Sequence, residues 1–302
     1  MTTSTTSGNA ANGSSGELLI CATPIGNLGD VTSRLLDAFD SCDVIYAEDT
    51  RVARRLLSHF GMSSPVVRCD ENVISEKVPE VCERVLSGQR VVFVSDAGMP
   101  CISDPGQKLV AAFRERGLPM TVLPGASAAV TAVAGCGFPG KAYYFGGFLP
   151  RKAGERVRVL EGLADLDAML VFYESNHRTA DTLRAIAKVF PKRRVCMARE
   201  LTKVHEEYAV MLAAELADMV DSREGGLKGE VVLVIEPPVE VEGEIDPESL
   251  QEAITEKARE LSLQEGMTSP KIAKQLVAIF GISRDEAYEV ARSCNRNARR
   301  GS

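Results

Sequence analysis

The chain lacks the patterns that mark several large classes of protein. It has no uninterrupted apolar run of about 18 residues, so we expect no membrane span. Residues 1–16 have neither the charged start nor the apolar centre of a secretion signal. The eight cysteines include no Cys-x-x-C pair and the three histidines are dispersed, so we expect no metal centre and no disulfide framework. Scattered cysteines in apolar stretches favour a reducing, cytoplasmic location.

Length, composition and charge are those of an ordinary globular protein. The 302 residues suggest two domains with room for a small third. Apolar residues make up 45% of the chain and charged residues 25%. The net charge of -7 argues against non-specific coating of nucleic acid, but it leaves room for a local basic patch.

Apolar runs alternate with helical periodicity through the first half of the chain. The run Val91–Val94 has no polar interruption, which is typical of a strand buried on both faces of a parallel sheet. The β-α-β-α order predicts an open α/β sheet. Strands are expected at residues 18–22, 44–47, 66–67, 91–94 and 120–123, and helices at residues 35–39, 53–60, 74–85 and 109–113.

The second half repeats the alternation after a segment rich in glycine and aromatics at residues 135–147, which we interpret as the joint between the halves. Strands are expected at residues 169–173, 195–198 and 231–235, with helices at residues 182–189 and 213–220. Three short helices follow, near residues 250–261, 270–280 and 284–292. The predicted divisions are a disordered tail at residues 1–16, α/β domains at 17–137 and 138–237, a linker at 238–248 and a helical unit at 249–302.

Three turns rich in glycine and proline follow strands of the first half, at the strand ends where open α/β sheets bind ligands. They lie at residues 23–30, 95–106 and 123–128, and none has the G-x-G-x-x-G spacing of a dinucleotide site. Each turn also has a simpler explanation. Asp30 or Thr32 can cap a helix, Asp104 followed by proline can start one, and small residues near position 126 can allow close packing.

The segment from Asp96 to Met99 is explained less well in this way, so it is the strongest site candidate of the first half. In the second half, polar residues cluster after two strands, at residues 173–178 and 198–203. Such clusters are often solvated ion pairs. Two of them on one expected sheet edge favour a binding site.

Together these motifs resemble one known family, the bacterial 16S ribosomal RNA (cytidine-2′-O)-methyltransferases of the tetrapyrrole-methylase fold class. The resemblance runs from about Leu18 to Ile235. It has two departures, Ala126 where the family has proline and Asn176 at a variable position. The motifs that carry it are Thr-Pro-Ile-Gly-Asn-Leu-Gly-Asp (23–30), Ala-Glu-Asp-Thr-Arg (47–51), Ser-Asp-Ala-Gly-Met-Pro (95–100), Ser-Asp-Pro-Gly (103–106), Tyr-Glu-Ser-Asn-His-Arg (173–178), Ala-Arg-Glu-Leu-Thr-Lys (198–203) and Gly-Glu-Val-Val-Leu-Val-Ile (229–235).

The resemblance implies two α/β domains with S-adenosylmethionine in the cleft between them and a small helical unit behind. The cytidine ribose to be methylated would lie in the decoding region of the small ribosomal subunit, and the enzyme would be a homodimer. No metal ion is implied. The cofactor-binding positions carried over are Pro24, Asp96, Gly98, Met99, Ser127, Ala128, Tyr173 and Leu201.

Transfer of a methyl group to a ribose hydroxyl needs an in-line arrangement of the reacting atoms and an acceptor for the hydroxyl proton. A carboxylate, a neutral lysine or a histidine could accept it. From their clusters at the expected cleft edge we rank Glu200, Lys203, Glu174 and His177, in that order.

Three basic groups could hold RNA: Arg151, Lys152, Arg156 and Arg158; Lys192 to Arg194; and Arg292, Arg296, Arg299 and Arg300. Each could equally be a solvated face. The C-terminal helices could form a small unit that docks on ribosomal RNA. The alternatives are a tetrapyrrole C-methylase of the same fold, a methylase of a modified histidine on a translation factor, and a non-enzymatic RNA-binding module. A nicotinamide oxidoreductase is disfavoured because the glycine fingerprint is missing.

Overall fold

The computed structural model describes residues 16–238, 247–262, 267–280 and 282–298. The chain forms two compact units, residues 1–238 and residues 239–302. The predicted tail at 1–16 and linker at 238–248 lie outside the described residues, except at residues 16, 238, 247 and 248. No helix in the described residues is long and apolar enough to cross a membrane.

The first sheet is parallel throughout, with the strand order β3-β2-β4-β1-β5. Its central strands are buried on both faces. Leu18 and Ile20 point to one core, and Leu19 and Cys21 to the other. The predicted parallel arrangement is therefore confirmed. The strands are β1 (Glu17–Cys21), β2 (Val44–Ala47), β3 (Val66–Arg68), β4 (Arg90–Val94) and β5 (Met120–Leu123).

Helices cover both faces of this sheet because each presents an apolar stripe. Leu35 and Leu56 pack on one face, and Val81 and Phe113 on the other. Thr32 caps the first helix as expected, its hydroxyl accepting from the Leu35 N–H at 3.1 Å. These four helices are α1 (Ser33–Ser41), α2 (Thr50–His59), α3 (Ile74–Leu86) and α4 (Gln107–Glu115), and a fifth, α5 (Ala128–Gly135), follows β5.

The second sheet has the order β6-β7-β10-β8-β9, and only the β6–β7 pair is parallel. Its elements are β6 (Tyr143–Phe148), α6 (Ala153–Glu161), β7 (Met169–Ser175), α7 (Thr179–Val189), β8 (Arg194–Arg199), β9 (Glu207–Leu212), α8 (Ala213–Asp221) and β10 (Glu230–Ile235).

Two edge strands of this sheet, β6 and β9, were not among the predicted elements. β6 contains Gly146 and Gly147 and lies inside the predicted joint, where glycines hide the strand signal. β9 is half-buried and pairs with β8, so tertiary pairing rather than a buried apolar run defines it. The second half is therefore a mixed sheet rather than a repeat of the first.

Helix α5 joins the two sheets into one unit. Ala129 and Ala132 of α5 pack with Val171 of β7 and Val232 of β10 in a shared apolar cluster. The small alanines allow the helix to lie close against the second sheet. The ends of β7 and β8 and the start of β10 share one edge of that sheet, because β10 runs antiparallel to both neighbours.

The described residues of the second unit form three helices around a small core of their own. Ile254, Leu261, Ile272 and Leu276 are buried in it together with Ala291. All three helices were predicted, and they are α9 (Pro247–Ser262), α10 (Ser269–Phe280) and α11 (Arg284–Ala298).

Candidate active site

A cavity of about 530 Å³ lies between the two sheets. The strand ends of the first half form one wall, and the shared edge of the second sheet forms the other. Its walls mix carboxylates with apolar side chains. The lining residues are Ile25, Glu48, Asp96–Met99, Ile102–Asp104, Ser127, Ala128, Phe148, Tyr173–Asn176, Leu201 and Gly229–Val232.

Gly98 ties the loop after β4 to the loop after β1. Its N–H donates to the Thr23 carbonyl at 3.0 Å, and the Thr23 N–H donates to the Gly98 carbonyl at 2.9 Å. Ser95 supports the bridge, because its hydroxyl donates to the Gly98 carbonyl at 3.3 Å. Gly98 has a φ of 75°, a conformation that side chains with a Cβ rarely adopt. The two loops are therefore held in one geometry that presents Asp96 and Met99 to the cavity.

Strained backbone occurs on both walls. Cys101 and Ser103 have φ values of 70° and 63°, and Glu200 and Thr202 have values of 51° and 65°. Each such residue costs about 1–3 kcal/mol and persists only where its surroundings enforce it. Glu200 and Thr202 flank Leu201, whose buried side chain lines the cavity. Strained residues in or beside both walls are typical of functional sites and make this cavity the candidate site.

Three carboxylates gather on the first wall. Burial raises the pKa of Asp104 to about 6. The negative charge of Asp96 adds to this rise, and a hydrogen bond from Ser95 opposes it. Burial, together with Asp96 and Asp104, also raises the pKa of Glu48. Asp96 is fixed by the Asp49 N–H, which donates to its Oδ1 at 2.9 Å. This wall is acidic and complements a cationic ligand.

The sequence interpretation of Asp104 as a helix cap is wrong. Helix α4 begins at Gln107, and its cap position is Gly106, with a φ of 130°. Pro105 precedes the cap instead of opening the helix. The loop, which contains left-handed residues at Cys101 and Ser103, thus continues past Asp104, and the Asp104 side chain lines the cavity instead of capping a helix.

Tyr173 of β7 connects the second wall to the first half. Its hydroxyl lies near the backbone of Ala129 in α5, and burial raises the pKa of that hydroxyl. Its ring meets Phe145 and Phe148 edge-on, with centroid distances of 4.8 and 5.7 Å. Phe148 lines the cavity and is 57% exposed, so an aromatic face borders the opening.

Glu174 belongs to a buried network and is only 3% exposed. The Thr182 hydroxyl donates to its Oε2 at 2.6 Å, and the Ser175 N–H donates to its Oε1 at 2.8 Å. Arg178 forms an ion pair with Oε2 at 3.3 Å, and Arg156 donates to the Thr182 hydroxyl at 3.0 Å. Both carboxylate oxygens are engaged, so the network supports the wall.

Glu200 and Lys203 form an ion pair at the edge of the second sheet. Lys203 Nζ lies 2.7 Å from Glu200 Oε1 and 2.9 Å from Glu230 Oε2. The bond from Lys203 lowers the pKa of Glu200. Burial alone would lower the pKa of Lys203, but its bonds to the two glutamates raise it. Both groups are therefore charged at neutral pH, so Lys203 has no free electron pair for a proton and Glu200 is a weak proton acceptor.

Lys203 also contacts the first half. A Cβ at Gly26 would lie 2.5 Å from Lys203 Cγ and 2.9 Å from the Leu201 carbonyl oxygen. The absence of a side chain at Gly26 lets the lysine stem lie directly on the loop after β1. The pair thus connects the halves beside the cavity without lining it.

The cavity brings together most of the predicted site residues. Those that line it are Asp96, Gly98, Met99, Ser127, Ala128, Tyr173, Glu174 and Leu201. Those that do not are Pro24, Glu200, Lys203 and His177. His177 is exposed, and its N–H is bonded to the side chain of Asn176. Glu48, Asp104, Phe148 and Glu230 also line the cavity and were not among the predicted site residues. The family motifs around residues 47–51 and 103–106 were the available signal for the first two.

The predicted basic groups are only partly exposed. Arg156 is 5% exposed and bonds within the Glu174 network, so it is not a surface contact. Arg193 packs over Phe190 and bonds the Ala164 carbonyl, while Arg194 pairs with Glu236. Arg151, Lys152, Arg158 and Arg292 are exposed. The side chains of Arg296, Arg299 and Arg300 lie outside the described residues.

Solved structures with the same fold are distant in sequence. A cobalt precorrin-4 methyltransferase matches with 18% identity and a TM-score of 0.55, over 75% of this chain and 98% of its own. A diphthine synthase matches with 14% identity and a TM-score of 0.56, over 73% of this chain and 89% of its own. A uroporphyrin-III C-methyltransferase from Thermus thermophilus, complexed with S-adenosyl homocysteine, matches with 16% identity and a TM-score of 0.52, over 73% of this chain and 97% of its own. At this identity the likeness shows the fold.

Sequence relatives are much closer. Ribosomal RNA small subunit methyltransferase I of Pasteurella multocida (strain Pm70) is 39% identical over 280 residues, covering 92% of this chain and 97% of the relative. The protein of that name from Escherichia coli O157:H7 is 37% identical over 284 residues, covering 93% and 96%. Residues 17–217 match the family Tetrapyrrole (Corrin/Porphyrin) Methylases. The chain therefore belongs to the tetrapyrrole methylase family and, within it, to the ribosomal RNA small subunit methyltransferase I family.

Proposed function

We propose that the protein transfers a methyl group from S-adenosylmethionine to the ribose 2′ oxygen of a cytidine in the decoding region of 16S ribosomal RNA. The observation that carries this function is the cavity between the two sheets, in a chain 39% identical to a ribosomal RNA small subunit methyltransferase I. The motifs that form its walls are the same motifs on which the family resemblance rests.

The residues present fit S-adenosylmethionine. A cavity of about 530 Å³ is within the usual size for small-molecule sites. The acidic first wall complements a sulfonium and an ammonium group, and Ile25 and Met99 offer apolar contact. Gly98 presents only backbone to the ligand. When bound, S-adenosylmethionine supplies a methyl group activated by a positively charged sulfur.

The residues proposed to hold this donor are Asp96, Gly98, Met99, Ser127, Ala128, Tyr173 and Leu201, which line the cavity. We assign Pro24 a shaping role, because it lies between buried Thr23 and cavity-lining Ile25. Glu200 and Lys203 act as positioning residues that hold the second sheet on the loop after β1, and Glu174 supports the same wall. His177 is exposed and is the neighbour in sequence of cavity-lining Asn176. Fixed walls of this kind keep reactants in line and exclude water.

Two features at the cavity opening suit an RNA substrate. The exposed ring of Phe148 offers a surface on which a nucleobase can stack. Helix α2 starts two residues after cavity-lining Glu48 and exposes Arg51, Arg54 and Arg55. Guanidinium groups on a helix that starts beside the cavity can hold phosphates that flank the target nucleotide. An overall acidic protein thus carries a local basic surface near the site.

We propose that the small ribosomal subunit, rather than free RNA, is the substrate, and that the unit at residues 239–302 contributes to docking. This unit has its own core, and so does the rest of the chain. Removing residues 239–302 should therefore weaken binding of the subunit at least tenfold and change S-adenosylhomocysteine binding less than twofold. Filter binding and calorimetry measure the two affinities. Equal affinity of the truncated and full-length proteins for the subunit would contradict the docking role.

We further propose a homodimer that acts in the cytoplasm, where ribosomal subunits mature. Val122 on edge strand β5 and Val130 on α5 are exposed apolar side chains on one part of the first half, and this supports self-association. Light scattering of the full-length protein gives the mass. A mass of about twice the 32.5 kDa chain is expected, and a monomer at micromolar concentration would contradict the dimer.

The function itself is tested by mass mapping of 16S ribosomal RNA from cells that lack the protein. One ribose methyl on a cytidine is expected to be missing, and the purified protein with S-adenosylmethionine should restore it on small subunits from those cells. An unchanged set of RNA methyl groups would contradict the proposal. Methylation of a tetrapyrrole by the purified protein would point to the alternative within the same fold.

A further inference from the structure

We propose that Asp104 accepts the proton of the ribose 2′ hydroxyl during methyl transfer. This inference rests on the proposed function and assigns a catalytic residue within its site. Its basis is the position of Asp104 in the cavity wall, in the same loop as Asp96, Gly98 and Met99, which are proposed to hold the donor.

Asp104 differs from the other carboxylates of the cavity in its hydrogen-bonding partner, a hydroxyl that has a second acceptor within reach. Asp96 accepts the Asp49 N–H at 2.9 Å, and Glu48 accepts a backbone bond from Asp96. Both oxygens of Glu174 are engaged in its buried network. Glu230 is bonded to Lys203. For Asp104 the hydrogen-bonding neighbour is the Ser95 hydroxyl, which can turn to the Gly98 carbonyl instead.

The residue before Asp104 lies against the strand that carries Phe148, and all three line the same cavity. Ser103 is held at a φ of 63°, and its Oγ would lie 3.2 Å from a Cβ on Gly147 of β6. Gly147 directly precedes Phe148, the exposed ring at the opening. A nucleoside stacked on Phe148 therefore brings its ribose close to the Asp104 carboxylate. The strained loop keeps that carboxylate in place before the substrate arrives.

The charge environment favours proton uptake. The titratable groups that face Asp104 are Asp96 after β4, Glu48 after β2, Tyr173 of β7 and Cys101 of its own loop. No cation is among them. Burial and the Asp96 charge raise the pKa of Asp104 to about 6, so at neutral pH it is ionised yet more basic than an ordinary carboxylate.

Atoms and electrons balance in the proposed methyl transfer. The 2′ oxygen forms a bond to the methyl carbon while the bond from that carbon to sulfur breaks, and the electron pair of the broken bond stays on sulfur. The hydroxyl proton passes to the Asp104 carboxylate, which later loses it to water. The products are a ribose methyl ether, a neutral thioether and the protonated acid.

The first test compares Asp104→Asn, Asp104→Glu and the exposed control Asp40→Asn of helix α1. We expect Asp104→Asn to lower turnover on small subunits about 100-fold or more, Asp104→Glu to retain part of it, and Asp40→Asn to match the wild type. Calorimetric affinity for S-adenosylhomocysteine should change less than threefold in every variant. Normal turnover of Asp104→Asn overturns the assignment. A large loss of affinity of this variant for S-adenosylhomocysteine also overturns it, because Asp104 would then be a group that binds the donor.

The second test needs no turnover. Carbon-13 NMR of the aspartate carboxyl groups in the ligand-free protein should show one group titrating near pH 6 that is absent in Asp104→Asn. In turnover, the wild type should lose activity tenfold per pH unit below the pKa of Asp104, and Asp104→Asn should lack this acidic limb. An Asp104 titration near pH 4 overturns the proposal. If the wild type methylates no RNA at all, the proposed function fails instead, whatever the titration shows.

Discussion

Replacing Gly98 by valine is expected to weaken binding of S-adenosylhomocysteine at least 100-fold. Gly98 has a φ of 75°, which a β-branched residue adopts only with strain. A Cβ there would lie 3.1 Å from Cγ2 of Ile25 and 3.4 Å from the Ala126 carbonyl oxygen. The valine would push apart the loops after β1 and β5 and project into the cavity. Isothermal calorimetry measures the affinity.

Gly117→Val is the matched control. Gly117 has a φ of 62°, so it carries a similar backbone cost, but a Cβ there meets nothing within 4 Å. Both variants should lose about 1–3 kcal/mol of stability from the backbone strain alone. Only the Gly98 variant should lose ligand affinity. Equal affinity in the two variants would show that the loop around Gly98 does not contact the donor.

Replacing Glu174 by alanine is expected to destabilise the protein by about 3–5 kcal/mol, because it leaves buried positive charge without its partner. Arg156 is 5% exposed and Arg178 is half-buried, and both depend on the network that ends at Glu174. The melting temperature should fall by roughly 6–12 °C. Differential scanning calorimetry gives this value directly.

The exposed ion pair of Glu155 with Lys152 provides the comparison, since its two side chains are 49% and 81% exposed. Glu155→Ala should change the stability by less than about 0.5 kcal/mol, because solvent screens such pairs. If Glu174→Ala were as stable as Glu155→Ala, Glu174 would not support the wall. Glu174 would then again be a candidate for the group that accepts the hydroxyl proton.

Much of the first half could be predicted because its signals are local. The strand Val91–Val94 is an unbroken apolar run, and such a run is stable only between two layers of helices. Turns rich in glycine and proline identify strand ends without knowledge of the fold. The loop residues Asp96, Gly98 and Met99 were placed at the cavity by this reasoning.

The second half was harder because its pairing is not local. Strand direction in β10 depends on partners 32 or more residues away in sequence, and an antiparallel partner leaves no mark in composition. The Glu200–Lys203 pair shows the same limit. Sequence shows two charges three residues apart, but only the fold shows that they bond each other and Glu230 rather than face the cavity.

Asp104 illustrates a second kind of limit. An aspartate before proline is a common helix start, so local statistics favour a cap. Two left-handed residues, Cys101 and Ser103, redirect the chain, and neither is of a type that predicts this conformation. Strain enforced by the surrounding structure is a property of the tertiary fold, and it is found where the function is proposed to lie.

The central claim is that one donor contacts both halves of the chain at once. Hydrogen exchange with and without S-adenosylhomocysteine tests this claim most directly. The account predicts slower exchange at residues 95–104 and 126–129 of the first half and also at residues 200–203 and 229–232 of the second, because these segments contain the residues that line the cavity. Slowing confined to one half, or found only at the shallow depression lined by Arg54 to Ser64, would contradict it.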